Sequence, residues 1–258
     1  LHGTDITLVG KDASFEPVIT FAINESNAVT AVSESLKQDT YEHFDIKRDI
    51  HVIPNFICLE EQVFKGCVDD LKKSFASNGE KVLMHISNFR KVKRVQDVIK
   101  IFDIVRKQIP AKLIMVGDGP ERHKMEELCR ELHACDSIKF LGKVKDTERI
   151  LAASDLFLLP SETESFGLAA LEAMAARTPV ISTNSGGLPE VNIQGVTGFL
   201  SNVGDTEDMA KNGIYILEND KRLQQFKENA LNQAKQFSLE NVLPSYLEVY
   251  REVLVNCC

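Results

Sequence analysis

From residue 82 to residue 183 the chain alternates short apolar runs with helix-length stretches, and this alternation constrains the fold more than any other feature. Residues 82–87, 112–116, 138–141, 155–160 and 180–183 read as strands, and 95–107, 121–132 and 146–153 as helices. A further helix opens after the apolar run at 155–160 and ends near Ala176. Strands separated by helices of this length form a parallel sheet covered on both faces, an α/β architecture. Ligands of such sheets sit at the carboxyl ends of the strands. Gly117, Gly142 and the loop 161–167 all fall there.

The flanking stretches are less regular. Residues 17–25 form a short amphipathic segment, 28–32 reads as a strand, and Ser33 caps a helix running to about Tyr41. Residues 50–53 read as a strand closed by Pro54-Asn55, and 58–80 is a polar, less periodic connection. Beyond Gly198 the chain reads as mostly helical, with amphipathic stretches at 207–218, 221–235 and 239–255. The expected division is 1–80, 81–238 and a terminal helical segment, 239–258.

With 258 residues, 43% of them hydrophobic, the chain has material for a substantial core. A formal charge of −8 disfavours nucleic acid as the main partner. No run of about 18 apolar residues occurs and the start lacks a signal-peptide pattern, so the expectation is a cytoplasmic protein without a membrane span. The six cysteines show no CxxC or Cys/His ligand spacing, which argues for free thiols rather than structural disulfides or zinc. The chain opens on a polar cluster, Leu1 to Asp5, that resembles the end of a strand and its loop. The expectation is that its N-terminal segment is missing.

The stretch from Glu164 to Glu172, ESFGLAALE, places a loop and a helix start directly after a buried strand. A helix start leaves backbone N–H groups unpaired and carries partial positive charge, so Phe166, Gly167 and Leu168 can offer amides to a phosphate. The two carboxylates would repel that phosphate, and their useful partners are hydroxyl groups. At ~1.5 Å rise per residue they lie roughly 12 Å apart at most, about the reach from a hexose to a ribose across a diphosphate. Two surface glutamates on a solvated helix would give the same spacing, so the context must decide.

Part of that context is Arg90-Lys91-Val92-Lys93-Arg94, four cations between a strand and a helix, suited to a diphosphate. Loop 116–120 bears glycines but lacks a phosphate-loop lysine, and reads as a turn. Gly186-Gly187 is a second strand-to-helix glycine turn suited to close backbone approach. His2 and Asp5 stand together near the start; a histidine there gains meaning only in company.

Glu164 to Glu172 resembles the E-x7-E motif of retaining GT-B glycosyltransferases of family 4. The strings at residues 2–10, HGTDITLVG, and 86–98, ISNFRKVKRVQDV, are similar to the branch of that family that glycosylates L-malate in bacillithiol biosynthesis. The resemblance implies a GT-B fold of two Rossmann-like lobes, the N-terminal one incomplete here and lacking its first glycine loop. It implies transfer of N-acetylglucosamine (GlcNAc) from UDP-GlcNAc to L-malate with retention, by same-face attack, the leaving phosphate accepting the proton. Neither cofactor nor metal is implied. Carried over by position, Lys93 would neutralise the diphosphate with Asn88 and Arg90 nearby, and Glu172 would hold the ribose. Glu164 with Ser165 and the Phe166, Gly167 and Leu168 amides would hold the sugar, and uracil would lie against Phe140, Leu141 and Gly142. His2 would face the sugar as a catalytic group with Glu164 and Lys93, and Thr4 would touch the acceptor. Two positions depart from the family pattern: Asn88 stands where many relatives have Arg, and Arg177 where many have Gly after the site helix. A different acceptor, or a nucleotide-sugar-binding remnant without turnover, stays open, as does a homo-oligomer. The expectation for these 258 residues by themselves is UDP binding without transfer.

Overall fold

The computed structural model describes residues 1–4, 6–7, 12, 14–62, 64 and 66–256. Among these residues the chain forms two parallel sheets. In the first, β1 (Val29–Ala31) pairs with β2 (Ile50–Val52), and Ser33 caps the helix Glu34–His43 by accepting from the Leu36 amide at 3.0 Å. The second holds β3 (Lys81–Ser87), β4 (Ala111–Gly117), β5 (Ile138–Gly142), β6 (Leu156–Leu159), β7 (Val180–Thr183) and β8 (Gly198–Ser201). Their spatial order is β5-β4-β3-β6-β7-β8. The chain therefore winds outward from β3 to one edge, returns to the middle at β6, and winds outward to the other edge. The helices that follow β3 and β6, Val95–Arg106 and Leu168–Ala175, pack on opposite faces of the sheet, which marks the switch point at whose carboxyl ends such sheets open a crevice.

Side chains alternate across the sheet. Val82, Met84, Phe157, Leu159 and Val180 join one core with the helix Leu168–Ala175 and the first sheet. Leu83, Leu113, Met115, Leu156, Leu158 and Ile181 join the other, against the helices Val95–Arg106 and Thr206–Leu217. The helix Leu239–Asn256 returns to the first sheet. Ile57 exchanges main-chain hydrogen bonds with Phe237 (3.0 Å) and Leu239 (3.1 Å), and Tyr246, Val249 and Val253 face Ala28 and Thr30 across a groove of about 530 Å³.

At its amino end β6 is preceded by Asp155, whose side chain is 1% exposed. Its Oδ1 accepts from Lys72 Nζ (2.7 Å) and Lys227 Nζ (3.1 Å), and its Oδ2 from the Val82 amide (2.9 Å). The two lysines hold its pKa below the usual carboxylate value against the opposing effect of burial. This carboxylate ties the helices Val68–Phe75 and Asp220–Ala234 to the sheet.

Three features depart from the sequence reading. β8 is a strand where helix was expected to take over, and its Gly198 is required: a Cβ there would lie 1.7 Å from Val180 O. The stretch 58–80 carries the helix Val68–Phe75. The Ile6 and Thr7 amides both donate to Gly3 O, at 2.8 and 2.7 Å, a helical pattern where a strand end and its loop were expected. Arg177 sits at φ 63°, the left-handed conformation that closes the helix Leu168–Ala175 and that suits the Gly many relatives have there.

Candidate active site

β3 and β6 pair only at Leu83↔Leu156 and Met84↔Phe157. Past that point the strands are bridged by the His85 side chain, which is fully buried and stacked between Phe89 and Phe157 with ring centroids 6.3 and 6.4 Å away. A carbonyl only accepts, so Nδ1 carries the proton donated to Leu158 O (2.8 Å), and Nε2 accepts from Ser87 Oγ (2.8 Å). Burial, and secondarily the nearby Lys93, push the imidazole down to about 4, so the ring is neutral at ordinary pH. His85 sits inside an apolar run and carries no sequence signal of its role; only the topology shows it.

The loops above this histidine hold the charged groups. The loop after β3 ends in a short 3-10 turn, Lys91–Lys93, and Lys93 Nζ reaches Glu164 Oε1 at 2.6 Å. Ser161 Oγ donates to the same oxygen at 2.8 Å, while Glu164 Oε2 has no partner among the described residues. The Glu162 amide donates to Val92 O (2.8 Å), fixing the two loops side by side. The loop after β7 closes the other flank: Gly187 N donates to Glu164 O at 2.9 Å, and a Cβ on Gly186 would stand 2.0 Å from that oxygen. The glycine pair is needed for this approach. The first sheet contributes too, since Ser33 Oγ donates to Ser165 O (2.5 Å) and Gly3 packs against Ser165 Oγ. His2 and Thr4 flank that glycine and are exposed. Asp5 lies outside the described residues.

Gly167, at φ 100°, starts the helix Leu168–Ala175. Among the described residues the Phe166, Gly167 and Leu168 amides have no hydrogen-bond partner, as expected of an open helix N-terminus. The Phe166 ring is buried edge-on against Phe237, with centroids 5.6 Å apart, which anchors the loop from below. One helical turn on, Glu172 is half-buried, and its carboxylate makes no hydrogen bond or ion pair among the described residues. Burial raises its pKa. A carboxylate desolvated without a partner destabilises the fold that holds it, and no contact among the described residues accounts for its position.

At the β5 edge the register slips. Met115 pairs with Phe140 and Val116 with Gly142, so Leu141 is skipped. Such a bulge leaves main-chain groups outside the ladder, at the place where uracil was expected to lie. Arg122 lies over the Phe140 ring, 5.8 Å from its centroid. Asn88 and Arg90 are exposed, and Arg90 has no carboxylate partner among the described residues. The structure thus brings Lys93, Glu164, Ser165 and the helix amides to one crevice, with Glu172 a helical turn behind them. Phe140, Leu141 and Gly142 stand two strands away along the same sheet edge. Among the described residues no group of three or more His, Cys, Asp or Glu side chains is placed to hold a metal. No described helix is long and apolar enough to cross a membrane.

Comparison with known proteins fits this geometry. The family described as "Glycosyl transferases group 1" matches residues 68–233. The chain is 46% identical over 257 residues to the N-acetyl-alpha-D-glucosaminyl L-malate synthase of Bacillus anthracis, covering 98% of this chain and 67% of that protein. It is 33% identical over 142 residues to the 2-deoxystreptamine N-acetyl-D-glucosaminyltransferase of Niallia circulans, covering 54% of this chain and 36% of that one. Among solved structures, Anabaena Alr3699/HepE in complex with UDP superposes with a TM-score of 0.88 at 22% identity, over 96% of this chain and 70% of that one. Sucrose-phosphate synthase from Thermosynechococcus elongatus gives 0.84 at 20% identity, over 97% and 64%. The chain spans about two thirds of the length of the synthase and of these structures. Its parallel sheets, its switch point and these neighbours give it the GT-B fold. With the family matched over most of its length, the chain belongs to the group 1 glycosyl transferases.

Proposed function

We propose that this glycosyltransferase moves GlcNAc from UDP-GlcNAc to the hydroxyl of L-malate with retention. The observation that carries the donor half is the unpartnered, half-buried Glu172 one helical turn behind the open helix N-terminus and Lys93. That array suits a nucleoside diphosphate sugar. The diphosphate lies on the amides and Lys93, the ribose hydroxyls on Glu172, and the hexose hydroxyls on the open Glu164 Oε2. Uracil meets the bulged main chain at Leu141. The acceptor half rests on the 46% identity to the malate synthase. His2 and Thr4, beside Ser165, then lie on the acceptor side of the sugar.

As the glycosidic bond breaks, negative charge grows on the diphosphate, and Lys93 with the fixed amides stabilises it without reorganisation. The departing phosphate takes the acceptor's proton, so no carboxylate need act as base and no metal need carry the charge.

The test uses the protein expressed from its whole coding sequence, with UDP-GlcNAc and L-malate, read by mass spectrometry and anomeric NMR. Expected is α-linked GlcNAc-malate, formed equally well in EDTA. Lys93→Ala should lower kcat by about 10²–10³-fold and UDP affinity by much less. Equal losses in both would make Lys93 a ground-state binder. No product with malate, but product with another hydroxyl acceptor, would overturn the acceptor assignment while leaving the donor site.

A further inference from the structure

The helix Arg122–Glu131 and β5 are joined by a turn that brings two thiols together, away from the crevice. Cys129 is buried on the last turn of that helix, and Cys135 is exposed at the start of the 3-10 turn Cys135–Ser137. Their sulfurs are 2.9 Å apart. Main-chain geometry sets this distance. His133 reverses the chain at φ 51°, the Ala134 amide donates to Cys129 O at 2.9 Å, and Arg106 Nη2 donates to Leu132 O at 2.7 Å. The pair is therefore held close by a pinned turn, with one sulfur covered and the other facing solvent.

The two thiols differ in reactivity. Burial, and then the hydrogen bond it donates to Cys135, push the Cys129 thiol up to about 12. It is slow to ionise alone, so the exposed Cys135 is the sulfur that an incoming oxidant meets first.

We propose that Cys129 and Cys135 form a reversible dithiol–disulfide site that exchanges with low-molecular-weight disulfides. In the first step the Cys135 thiolate attacks one sulfur of RS–SR, forming Cys135–S–S–R and releasing RS⁻, which takes up the proton Cys135 lost. In the second, Cys129 attacks Cys135 Sγ and its proton leaves with the second RS⁻. Two protein thiols are oxidised, one disulfide is reduced to two RSH, and no other reactant is needed. The bridge would tie the end of the helix to the strand that carries Phe140 and Gly142. A cleft of about 390 Å³ lined by Arg122, Cys129, Cys135 and Phe140 connects the thiols to that ring. Any effect of the bridge on UDP depends on the donor-site reading above; the exchange chemistry does not.

Trypsin supplies the test, because Arg130 lies between the two cysteines. A bridge joins peptide 125–130 to peptide 131–139, and reduced chain gives them separately. The chain is incubated with oxidised glutathione, blocked with N-ethylmaleimide, digested and analysed by mass spectrometry. Expected are the joined peptides, lost on adding dithiothreitol and absent from Cys135→Ser. Cys129→Ser should stop at a stable glutathione adduct on Cys135. Two separately alkylated peptides, or a lasting glutathione adduct at Cys135 in the unaltered chain, would overturn the proposal. That readout needs no variant, so it stands even if a serine at buried position 129 disturbs folding.

Discussion

Two carboxylates stand at opposite ends of β6, each facing lysine, and they are built differently. Asp155, at the amino end, has both oxygens engaged: one by Lys72 and Lys227, the other by the Val82 amide. Glu164, past the carboxyl end, gives one oxygen to Lys93 and Ser161 and keeps the other without a partner among the described residues. Its side chain is 14% exposed against 1% for Asp155. The difference separates a charge whose partners the protein supplies in full from one with an oxygen left over, which the proposed function assigns to a sugar hydroxyl. Where the protein supplies every partner, the group holds elements together; where a buried or half-buried group lacks one, a ligand is expected to supply it. Glu172 belongs with Glu164 on that criterion.

The largest effect should come from the structural end. Asp155→Ala leaves Lys227, with a side chain 17% exposed, facing a buried hole, and should cost about 3–5 kcal/mol in urea unfolding. Glu164→Ala, whose lysine keeps solvent contact, should cost about 1 kcal/mol. Equal losses would erase the distinction between the two ends.

Acid separates the ends a second way. His85 titrates near 6.5 when unfolded and about 4 when folded, so between these values the unfolded chain takes up the extra proton. Stability is therefore full above pH 6.5 and falls as pH drops toward 4, by on the order of 3 kcal/mol. Asp155, with its pKa lowered from 3.8, keeps its contribution above that pH and loses it as pH falls through its folded value. His85→Gln should flatten the first limb of an acid unfolding curve and leave the second; loss of the second limb instead would reverse the assignment.

Glu172 gives the smallest effect and the opposite sign. Its pKa is raised from 4.5 by burial, so its contribution to stability is greatest below 4.5 and falls as pH rises through the folded value. Glu172→Ala should therefore leave neutral-pH stability unchanged or slightly higher while weakening UDP binding by about 1–3 kcal/mol, measured by calorimetry. Unchanged UDP affinity in a folded variant would remove Glu172 from the site.

The sheet was legible in the sequence because β3 to β7 are mostly apolar runs set off by turns, and 180–183 appears in the structure with those bounds. β8 was not, since it begins with glycine, holds only two apolar residues and shows no alternation. The candidate residues Glu164, Lys93 and Glu172 could be singled out from residue type in the loops after two strands and on the helix that follows. Their surroundings were not. Lys93 and Glu164 are 71 residues apart, and Lys72 and Asp155 are 83 apart, so only the winding of the sheet brings them together. His85 was hidden for a related reason: its role depends on where two strands cease to pair, which no local pattern records.

Glu190 joins the two sheets in a way that bears on how this chain can vary over time. Its carboxylate accepts from the Glu34 and Ser35 amides at 2.9 and 3.0 Å, at the start of the helix Glu34–His43. The contact is made to peptide groups, which every residue except proline supplies. Positions 34 and 35 are thus released to drift under mutation, while position 190 must stay acidic with the same side-chain length. Lineages descended from this chain should accumulate changes unequally across this junction, many on the helix and few at the glutamate that reads it.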